Sequence, residues 1–163
     1  DVGLEFGAGR STLWFAKKIA FLTSIEHNPV WYRRVESALN KSEVKNVKLL
    51  LVNGKAVKAY VGVLTHFADA SLDFILVDGL YRDVCAVAAL AKLRMGGIIV
   101  VDDVHRYLPS NSRSPNSRTF SMGPSSELWA VFWEKVKNWR CIWTTNGVKD
   151  TAIWIKTRET KNE

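Results

Sequence analysis

The chain has 163 residues, 47% of them hydrophobic and 24% charged, which excludes a disordered protein and predicts one domain with a substantial core. It contains no apolar run of about 18 residues and no leader-like start, so we expect a soluble protein without membrane association. The formal net charge of +7 would suit an anionic partner, but the basic residues are scattered at helix-surface spacings, so nucleic acid is not favoured.

The two cysteines, Cys85 and Cys141, have no metal-ligand spacing, which favours buried thiols over a disulfide or a metal site. This usage predicts a reducing compartment, and the cytoplasm is the expected location. Because Asp1 is not a methionine and already lies at the first predicted strand, we expect an N-terminal segment to be missing from a single domain that covers residues 1–163. A homodimer is left open.

The first predicted element is a buried strand from Val2 that runs into the turn Gly7-Ala8-Gly9 and then into a helix through Lys18. Glycines at both ends of the turn allow close approach of a ligand, and Ser11 and Thr12 are predicted to cap or line the first helical turn. A strand, a glycine turn and a helix N-terminus together predict a nucleotide pocket. The same pattern also fits a tight turn that binds nothing.

Two residues distinguish this turn from the dinucleotide fingerprint G-x-G-x-x-G. Thr12 replaces the third glycine, and Glu5 stands two residues before the first. A carboxylate at that position would accept hydrogen bonds from a ligand or from the turn, and it would repel a pyrophosphate. The pocket is therefore predicted to take a nucleoside that carries a cation and no phosphates.

The next strand, Phe21 to Ile25, ends at Glu26, and a helix is predicted from Val30 to Leu39 after Pro29. Glu26 follows Gly9 by seventeen residues, close to the separation that places an acid at the tip of the neighbouring strand, where it can accept both ribose hydroxyls. A plain surface carboxylate is the alternative.

The motif E-x-G-x-G followed by Glu26 resembles the first two cofactor motifs of class I S-adenosylmethionine-dependent methyltransferases. The resemblance implies that Glu5 lies near the methionine end of the cofactor and that Glu26 holds the ribose hydroxyls. The predicted cofactor-binding residues are Glu5, Gly7, Gly9, Ser11, Glu26, His27, Asn53, Gly54 and Asp78.

A third strand, Val47 to Val52, is terminated by Asn53-Gly54, and the resemblance places this strand end beside the adenine. Asn53 then either hydrogen-bonds a base edge or belongs to an ordinary Asn-Gly turn. A helix or a partly helical connection is predicted from Ala56 to Phe67.

The fourth strand, Leu72 to Asp78, precedes an alanine-rich helix from Asp83 to Leu93. Met95-Gly96-Gly97 is predicted to break the chain before a fifth strand, Ile98 to Val101, which ends at Asp102-Asp103. Such alternation predicts an open parallel sheet with helices on both faces, where ligands gather at the carboxyl ends of the strands.

Residues 106–124 lose all periodicity, and we predict a mobile lid that closes over the acceptor. Its arginines, Arg106, Arg113 and Arg118, would clamp an anionic or sugar-like acceptor. A helix from Glu127 to Trp139 and an antiparallel strand pair, Cys141 to Thr144 and Thr151 to Ile155, complete the chain. The predicted fold is α/β, a Rossmann-like open and mostly parallel sheet of about seven strands with a C-terminal antiparallel pair, which is also the topology of the resembled family.

Asp78, Asp102 and Asp103 are similar to the metal-binding acids of magnesium-dependent O-methyltransferases, so the resemblance implies a Mg²⁺ site. The catechol and caffeoyl-coenzyme A types carry asparagine at the position of Asp103 and lysine at that of Tyr81, whereas the sugar-type enzymes have paired aspartates. The alternative is that these acids line the cofactor or pair with Arg82 and Arg106. His105 and Asp102 are the predicted catalytic residues, with His105 as general base.

The sequence therefore predicts transfer of a methyl group from S-adenosylmethionine to a small-molecule acceptor, through a hydroxyl oxygen, and it leaves open whether a metal assists. Two alternatives are a nicotinamide-dependent oxidoreductase, which uses the same strand and turn, and a methyltransferase-like module that binds a partner without catalysis. Thr12 and Glu5 count against the oxidoreductase.

Overall fold

A computed structural model of the protein describes residues 1–157 and contains a seven-stranded sheet in the order β3-β2-β1-β4-β5-β7-β6. Strands β1 to β5 run parallel, whereas β7 pairs antiparallel with both β5 and β6. The strands are β1 (Val2–Phe6), β2 (Phe21–Glu26), β3 (Val47–Leu51), β4 (Leu72–Val77), β5 (Leu93–Asp102), β6 (Arg140–Thr145) and β7 (Asp150–Ile155). The helices are α1 (Arg10–Ala16), α2 (Pro29–Lys41), α3 (Val57–Gly62), α4 (Arg82–Ala89) and α5 (Glu127–Val136). The predicted fold class is confirmed.

Alternating side chains of the strands pack into separate layers on the two faces of the sheet. On β4, Ile75 and Val77 join the main core with α3, α4 and α5, whereas Phe74 and Leu76 face the opposite side and pack with Phe15 of α1. Helix α2 packs on that second side through Val35 and Leu39. Successive side chains of a strand point to opposite faces of the sheet, so a strand with apolar residues at every position is buried on both faces. The helices that cover the two faces confirm the prediction of helices on both sides of the sheet.

The main difference from the predicted elements is at the start of β5. This strand begins at Leu93, so Met95-Gly96-Gly97 lies inside it instead of breaking the chain before it. The pairing register with β4 shifts between Leu72 and Phe74, and Gly96 has φ +75, so the glycines form an irregularity that the strand accommodates. Helix α4 consequently ends at Ala89, four residues before the predicted Leu93.

The middle of residues 106–124 is anchored to the terminal hairpin through Ser114, whereas Arg106, Arg113 and residues 119–122 are exposed. Ser114 is buried, and its Oγ donates to Asp150 Oδ1 at 2.6 Å. Arg118 Nε donates to the Gly123 carbonyl at 2.6 Å, and its Nη2 donates to the Met122 carbonyl at 2.9 Å. Arg118 therefore satisfies carbonyls of its own loop, which does not support its predicted role as an acceptor clamp.

Two further sequence expectations concern membrane spans and cysteines. No helix within residues 1–157 has the length and apolar character needed to cross a membrane. Cys85 is a buried thiol as predicted, whereas Cys141 lies exposed on β6.

Asp150 anchors this loop, and replacing it should remove a pH-dependent part of the stability. Burial alone would raise its pKa, but hydrogen bonds from Ser112, Ser114, Trp143 and Thr145 lower the pKa to about 2. A depressed carboxyl pKa stabilises the fold above the unfolded value and loses that contribution as the pH falls through the folded value. Asp150→Asn should therefore cost about 2 kcal/mol at neutral pH, and the difference from wild type should shrink between about pH 4 and pH 2.

Urea unfolding at a series of pH values measures this effect. Asp69→Asn is the matched control, because Asp69 is an exposed carboxylate that pairs with Lys92 on the surface. An Asp150→Asn variant whose stability follows the wild-type pH profile at a constant offset would contradict the assignment.

Candidate active site

The glycine turn after β1 is held tightly against the end of β4. Gly7 has φ +98, and a Cβ built on it would lie 2.8 Å from the carbonyl carbon of Asp78. The amides of Gly7 and Ala8 both donate to the Ile25 carbonyl, at 2.9 and 3.1 Å. A side chain at Gly7 would have to displace backbone, so glycine is required there by both conformation and space.

Glu5 is completely buried behind this turn and does not line the cavity in front of it. Its carboxylate accepts hydrogen bonds from Ser11 Oγ at 2.5 Å, Thr12 Oγ1 at 2.6 Å and Ser24 Oγ at 2.5 Å. Burial raises the pKa of Glu5, and the three hydroxyl donors partly offset that effect. This geometry favours a supporting role that ties α1 to β1 and β2, and contact with the cofactor stays a prediction.

Thr12 explains why the third glycine of the dinucleotide fingerprint is absent. Its fully buried side chain donates to Glu5, and its Oγ1 accepts the amide of Gly9 at 2.9 Å. The hydroxyl thus caps the start of α1 and joins the turn to the buried carboxylate. A glycine at position 12 would leave the Glu5 carboxylate and the Gly9 amide without the Thr12 hydroxyl as a partner.

Glu26 lies at the tip of β2 with one carboxylate oxygen held in place and the other free. Oε1 accepts from the amides of His27 at 2.8 Å and Asn28 at 2.7 Å, and no hydrogen bond to Oε2 exists within residues 1–157. His27 Nδ1 is buried 3.1 Å from Glu26 Oε1, but in the described part of the chain it makes no hydrogen bond. Glu26 Oε2 is therefore available to a ligand, whereas His27 Nδ1 is a buried polar atom without a hydrogen bond.

These residues border a cavity of about 670 Å³ at the carboxyl end of the sheet. It is lined by residues 7–11 of the turn and α1, residues 26–28 after β2, Trp31, and residues 78–80 after β4. The structure thus brings together six of the nine predicted cofactor residues: Gly7, Gly9, Ser11, Glu26, His27 and Asp78. The volume is in the range of small-molecule and cofactor sites.

Asn53 and Gly54 lie behind the cavity wall. Asn53 is exposed, and its Oδ1 accepts the amide of Lys55 at 3.0 Å, as in an ordinary Asn-Gly turn. Gly54 packs against His27, where a Cβ would approach the His27 Cβ to 2.8 Å, and its carbonyl accepts the Tyr81 hydroxyl at 2.7 Å. In this arrangement Gly54 supports His27 from behind, and direct contact of either residue with the cofactor stays a prediction.

Trp31 is a cavity residue that the sequence reasoning missed. Asn28 caps α2 by accepting the amides of Val30 and Trp31, which places Trp31 in the first helical turn, facing the glycine turn. Its Nε1 donates to the Ala8 carbonyl at 2.6 Å. The sequence signal that could have identified Trp31 is an aromatic residue in the first turn of the helix after Glu26.

Two of the three acids predicted to bind metal, Asp78 and Asp103, pair with Arg82, and the third, Asp102, contacts it through its backbone carbonyl. Arg82 Nη2 lies 2.7 Å from Asp78 Oδ1, and Arg82 Nη1 lies 3.6 Å from Asp103 Oδ2. Burial raises the pKa of Asp78 to about 6, and the neighbouring Asp102 and Asp103 carboxylates add to this effect while Arg82 opposes it. Asp102 Oδ1 accepts the Thr151 hydroxyl at 2.7 Å.

The predicted catalytic residues His105 and Asp102 do not line the cavity. His105 is buried, and its Nδ1 accepts the Asp150 amide at 3.1 Å, so this nitrogen is already used by the hairpin. His105 borders instead a small hollow of about 180 Å³ together with Asp103 and Lys149. A catalytic role for either residue stays a prediction.

The strand order, the antiparallel β7 and the glycine turn followed by an acid at the tip of β2 define a class I methyltransferase fold. Residues 4–104 match the family model described as a methyltransferase domain, and the chain belongs to this family. A putative O-methyltransferase from Mycobacterium sp. (strain JLS) is 33% identical over 100 residues, which are 58% of this chain and 44% of that protein. The match thus spans less than half the length of this relative.

Solved structures share the fold at low sequence identity. A protein from Corynebacterium glutamicum superposes with a TM-score of 0.67 at 17% identity, covering 98% of this chain and 74% of that chain. An O-methyltransferase from Bacillus cereus in complex with SAH also gives 0.67 at 17% identity, covering 95% and 74%. The recognition as a class I S-adenosylmethionine-dependent methyltransferase is confirmed, and the oxidoreductase alternative is not favoured.

Proposed function

We propose that the protein transfers the methyl group of S-adenosylmethionine to a hydroxyl oxygen of a small-molecule acceptor. The observation that carries the proposal is the cavity between the glycine turn and Glu26, in a chain whose residues 4–104 belong to a methyltransferase family. The O-methyltransferase designation of the mycobacterial relative supports oxygen as the atom that receives the methyl group.

The residues that line the cavity fit this cofactor. Glu26 Oε2 is free to accept hydrogen bonds from ribose hydroxyls, because Oε1 is already held by two backbone amides. The glycine turn presents backbone without Cβ atoms at Gly7 and Gly9, and Asp78 places negative charge near the opposite wall. When bound, the cofactor supplies an electrophilic methyl group on a positively charged sulfur, which a carboxylate-lined wall stabilises.

A second cavity, of about 430 Å³, adjoins the first and is our candidate for the acceptor site. It shares Gly79 and Leu80 with the cofactor cavity and is otherwise lined by residues 81–83, Tyr107, Ser125, Ser126 and Trp129. Tyr107 and Trp129 stack with ring centroids 5.0 Å apart, so two aromatic side chains border the cavity. An acceptor bound in this second cavity would be separated from the cofactor by the backbone of Gly79 and Leu80.

The lining of the second cavity favours a neutral, hydroxylated ring over an anionic acceptor. Aromatic side chains suit the face of a ring, and the hydroxyls of Ser125 and Ser126 suit its hydroxyl groups. The only arginine among its lining residues within the described chain is Arg82, whose guanidinium is already paired with acids and carbonyls. Of the two acceptor classes that the sequence suggests, this supports the sugar-like one.

The free thiols Cys85 and Cys141 are consistent with a cytoplasmic location, which is part of the proposal.

Calorimetric titration of the intact chain with S-adenosylhomocysteine (SAH) tests the cofactor assignment, with NADH as the competing ligand. We expect SAH to bind and to quench tryptophan fluorescence, because Trp31 lines the cavity. Trp31→Phe should lose most of this quenching, and it should lower the free energy of unfolding by about 1 kcal/mol, since it removes the hydrogen bond to Ala8.

Trp14→Phe is the control, because Trp14 is exposed on α1 and does not line the cavity. Its quenching by SAH should equal that of the wild type. Binding of NADH without binding of SAH would overturn the proposal in favour of the oxidoreductase.

A further inference from the structure

Arg82 is the first residue of α4, and its side chain turns back over the carboxyl ends of β4 and β5. The preceding Tyr81 adopts a left-handed conformation with φ 51, and this bend directs the start of the helix toward the strand ends. The Arg82 side chain is only 15% exposed, and its guanidinium lies 5.8 Å from the ring centroid of Tyr107. It is therefore a partly buried cation that pairs with two of the strand-end acids, Asp78 and Asp103.

The guanidinium joins backbone from both strands as well as the acids. Nη1 donates to the Asp102 carbonyl at 2.6 Å, Nε donates to the Gly79 carbonyl at 3.2 Å, and Nη2 donates to the Asp78 carbonyl at 3.1 Å. Nη2 also donates to Asp78 Oδ1 at 2.7 Å. A planar fork of donors can bridge several acceptors in this way, which a single ammonium group cannot.

The cluster does not fit the Mg²⁺ ion that the resemblance implies. Mg²⁺ requires near-octahedral oxygen ligands at about 2.0 to 2.1 Å, with the oxygens directed at one point. Here Asp78 Oδ1 and Asp103 Oδ2 face Arg82, Asp103 Oδ1 lies 3.5 Å from Lys149 Nζ, and Asp102 Oδ1 accepts from Thr151. Within residues 1–157 no group of three or more His, Cys, Asp or Glu side chains has a metal-binding arrangement.

We infer, on the basis of the proposed methyl transfer, that Arg82 takes the place of the divalent cation, so that this protein works without a metal. The guanidinium pairs with Asp78 and Asp103 and ties the end of β4 to the end of β5. Because it holds the carbonyl of Gly79, which lines both cavities, Arg82 is a positioning residue for the wall between cofactor and acceptor.

Two measurements on the intact wild-type chain test the inference without knowledge of the acceptor. Electron paramagnetic resonance of Mn²⁺ should show the ion free in the presence of the protein. Calorimetric titration with SAH should give the same dissociation constant in millimolar MgCl₂ and in EDTA. Stoichiometric Mn²⁺ binding, or an SAH affinity that depends on the divalent cation, would overturn the inference.

Variants of Arg82 separate its charge from its geometry. Arg82→Met leaves the acids without their cation, so we expect it to bind Mn²⁺ and to bind SAH about tenfold more weakly because the wall is no longer held. Arg82→Lys retains a cation without the fork, and it should exclude Mn²⁺ like the wild type while binding SAH with intermediate affinity. If Arg82→Met does not fold, the SAH affinity of Arg82→Lys still tests whether the guanidinium fork holds the cavity wall.

Arg94→Met is the control, because Arg94 also pairs with an aspartate, Asp73, but lies outside both cavities. It should match the wild type in both assays. An Arg82→Met variant that excludes Mn²⁺ and binds SAH like the wild type would overturn the inference. If the wild type does not bind SAH at all, the proposed function fails, and the Mn²⁺ measurement still decides whether the acids hold a metal.

Discussion

Replacing Glu26 by alanine should weaken SAH binding by about a hundredfold. A carboxylate that accepts two ribose hydroxyls makes charge-assisted hydrogen bonds worth about 1.5 to 3 kcal/mol each, and about 3 kcal/mol in total corresponds to this factor. The geometry supports this expectation, since Oε1 is held by two amides, Oε2 has no hydrogen-bond partner in the described chain, and Glu26 lines the cavity. Calorimetric titration measures the change.

Glu26→Gln distinguishes loss of the ligand contact from damage to the strand end. The glutamine carbonyl can still accept the amides of His27 and Asn28, so this variant should keep its thermal midpoint and bind SAH about tenfold more weakly. Glu43→Ala is the control, because Glu43 is an exposed acid outside the cavity. If Glu26→Ala keeps the wild-type affinity, Glu26 is not the ribose ligand.

Gly7→Ala should destabilise the fold by about 3 kcal/mol and abolish detectable SAH binding. An alanine at φ +98 is strained, and its Cβ would meet the backbone of Asp78 and Gly79 at 2.8 Å, where no flexible side chain can move aside. The turn would have to shift away from β4, and the cavity wall would shift with it. Denaturant unfolding and SAH titration of the same sample measure both effects.

Gly62→Ala is the matched control for this substitution. Gly62 is the last residue of α3, has no positive φ, and a Cβ there would meet nothing within 4 Å. Because alanine is the better helix former, this variant should be as stable as the wild type or slightly more stable. A Gly7→Ala variant with unchanged stability would show that the turn is not constrained as described.

The elements that the sequence predicts well are those whose signal is local. The glycine turn, the acid after β2 and the apolar runs of the parallel strands each lie within a few residues, and parallel strands bring their carboxyl ends to one edge whatever the details of packing. For this reason Gly7, Gly9, Ser11, Glu26, His27 and Asp78 were correctly predicted to lie together at one cavity.

Local patterns were insufficient where the partner of a side chain comes from a distant segment. Glu5 appears in the motif as an acid next to the ligand, but hydroxyls of α1 and β2 enclose it. The loop of residues 106–124 has the composition of a mobile lid, yet Ser114 is buried on Asp150, 36 positions later in the chain. Neither contact has a short-range sequence signature, so the sequence favoured a Glu5 side chain next to the ligand and an exposed loop.

By itself, then, the sequence of this protein determines the class of fold, the family and the residues that meet at the strand-end cavity, because strand periodicity and a turn motif encode them over short distances. The tertiary structure decides which groups pair with the strand-end acids. Asp78, Asp102 and Asp103 have the composition of a magnesium site, and the structure places Arg82, after a left-handed Tyr81, against Asp78 and Asp103. Charge compensation in a buried cluster depends on which cation reaches it in space, and residue spacing alone does not specify that.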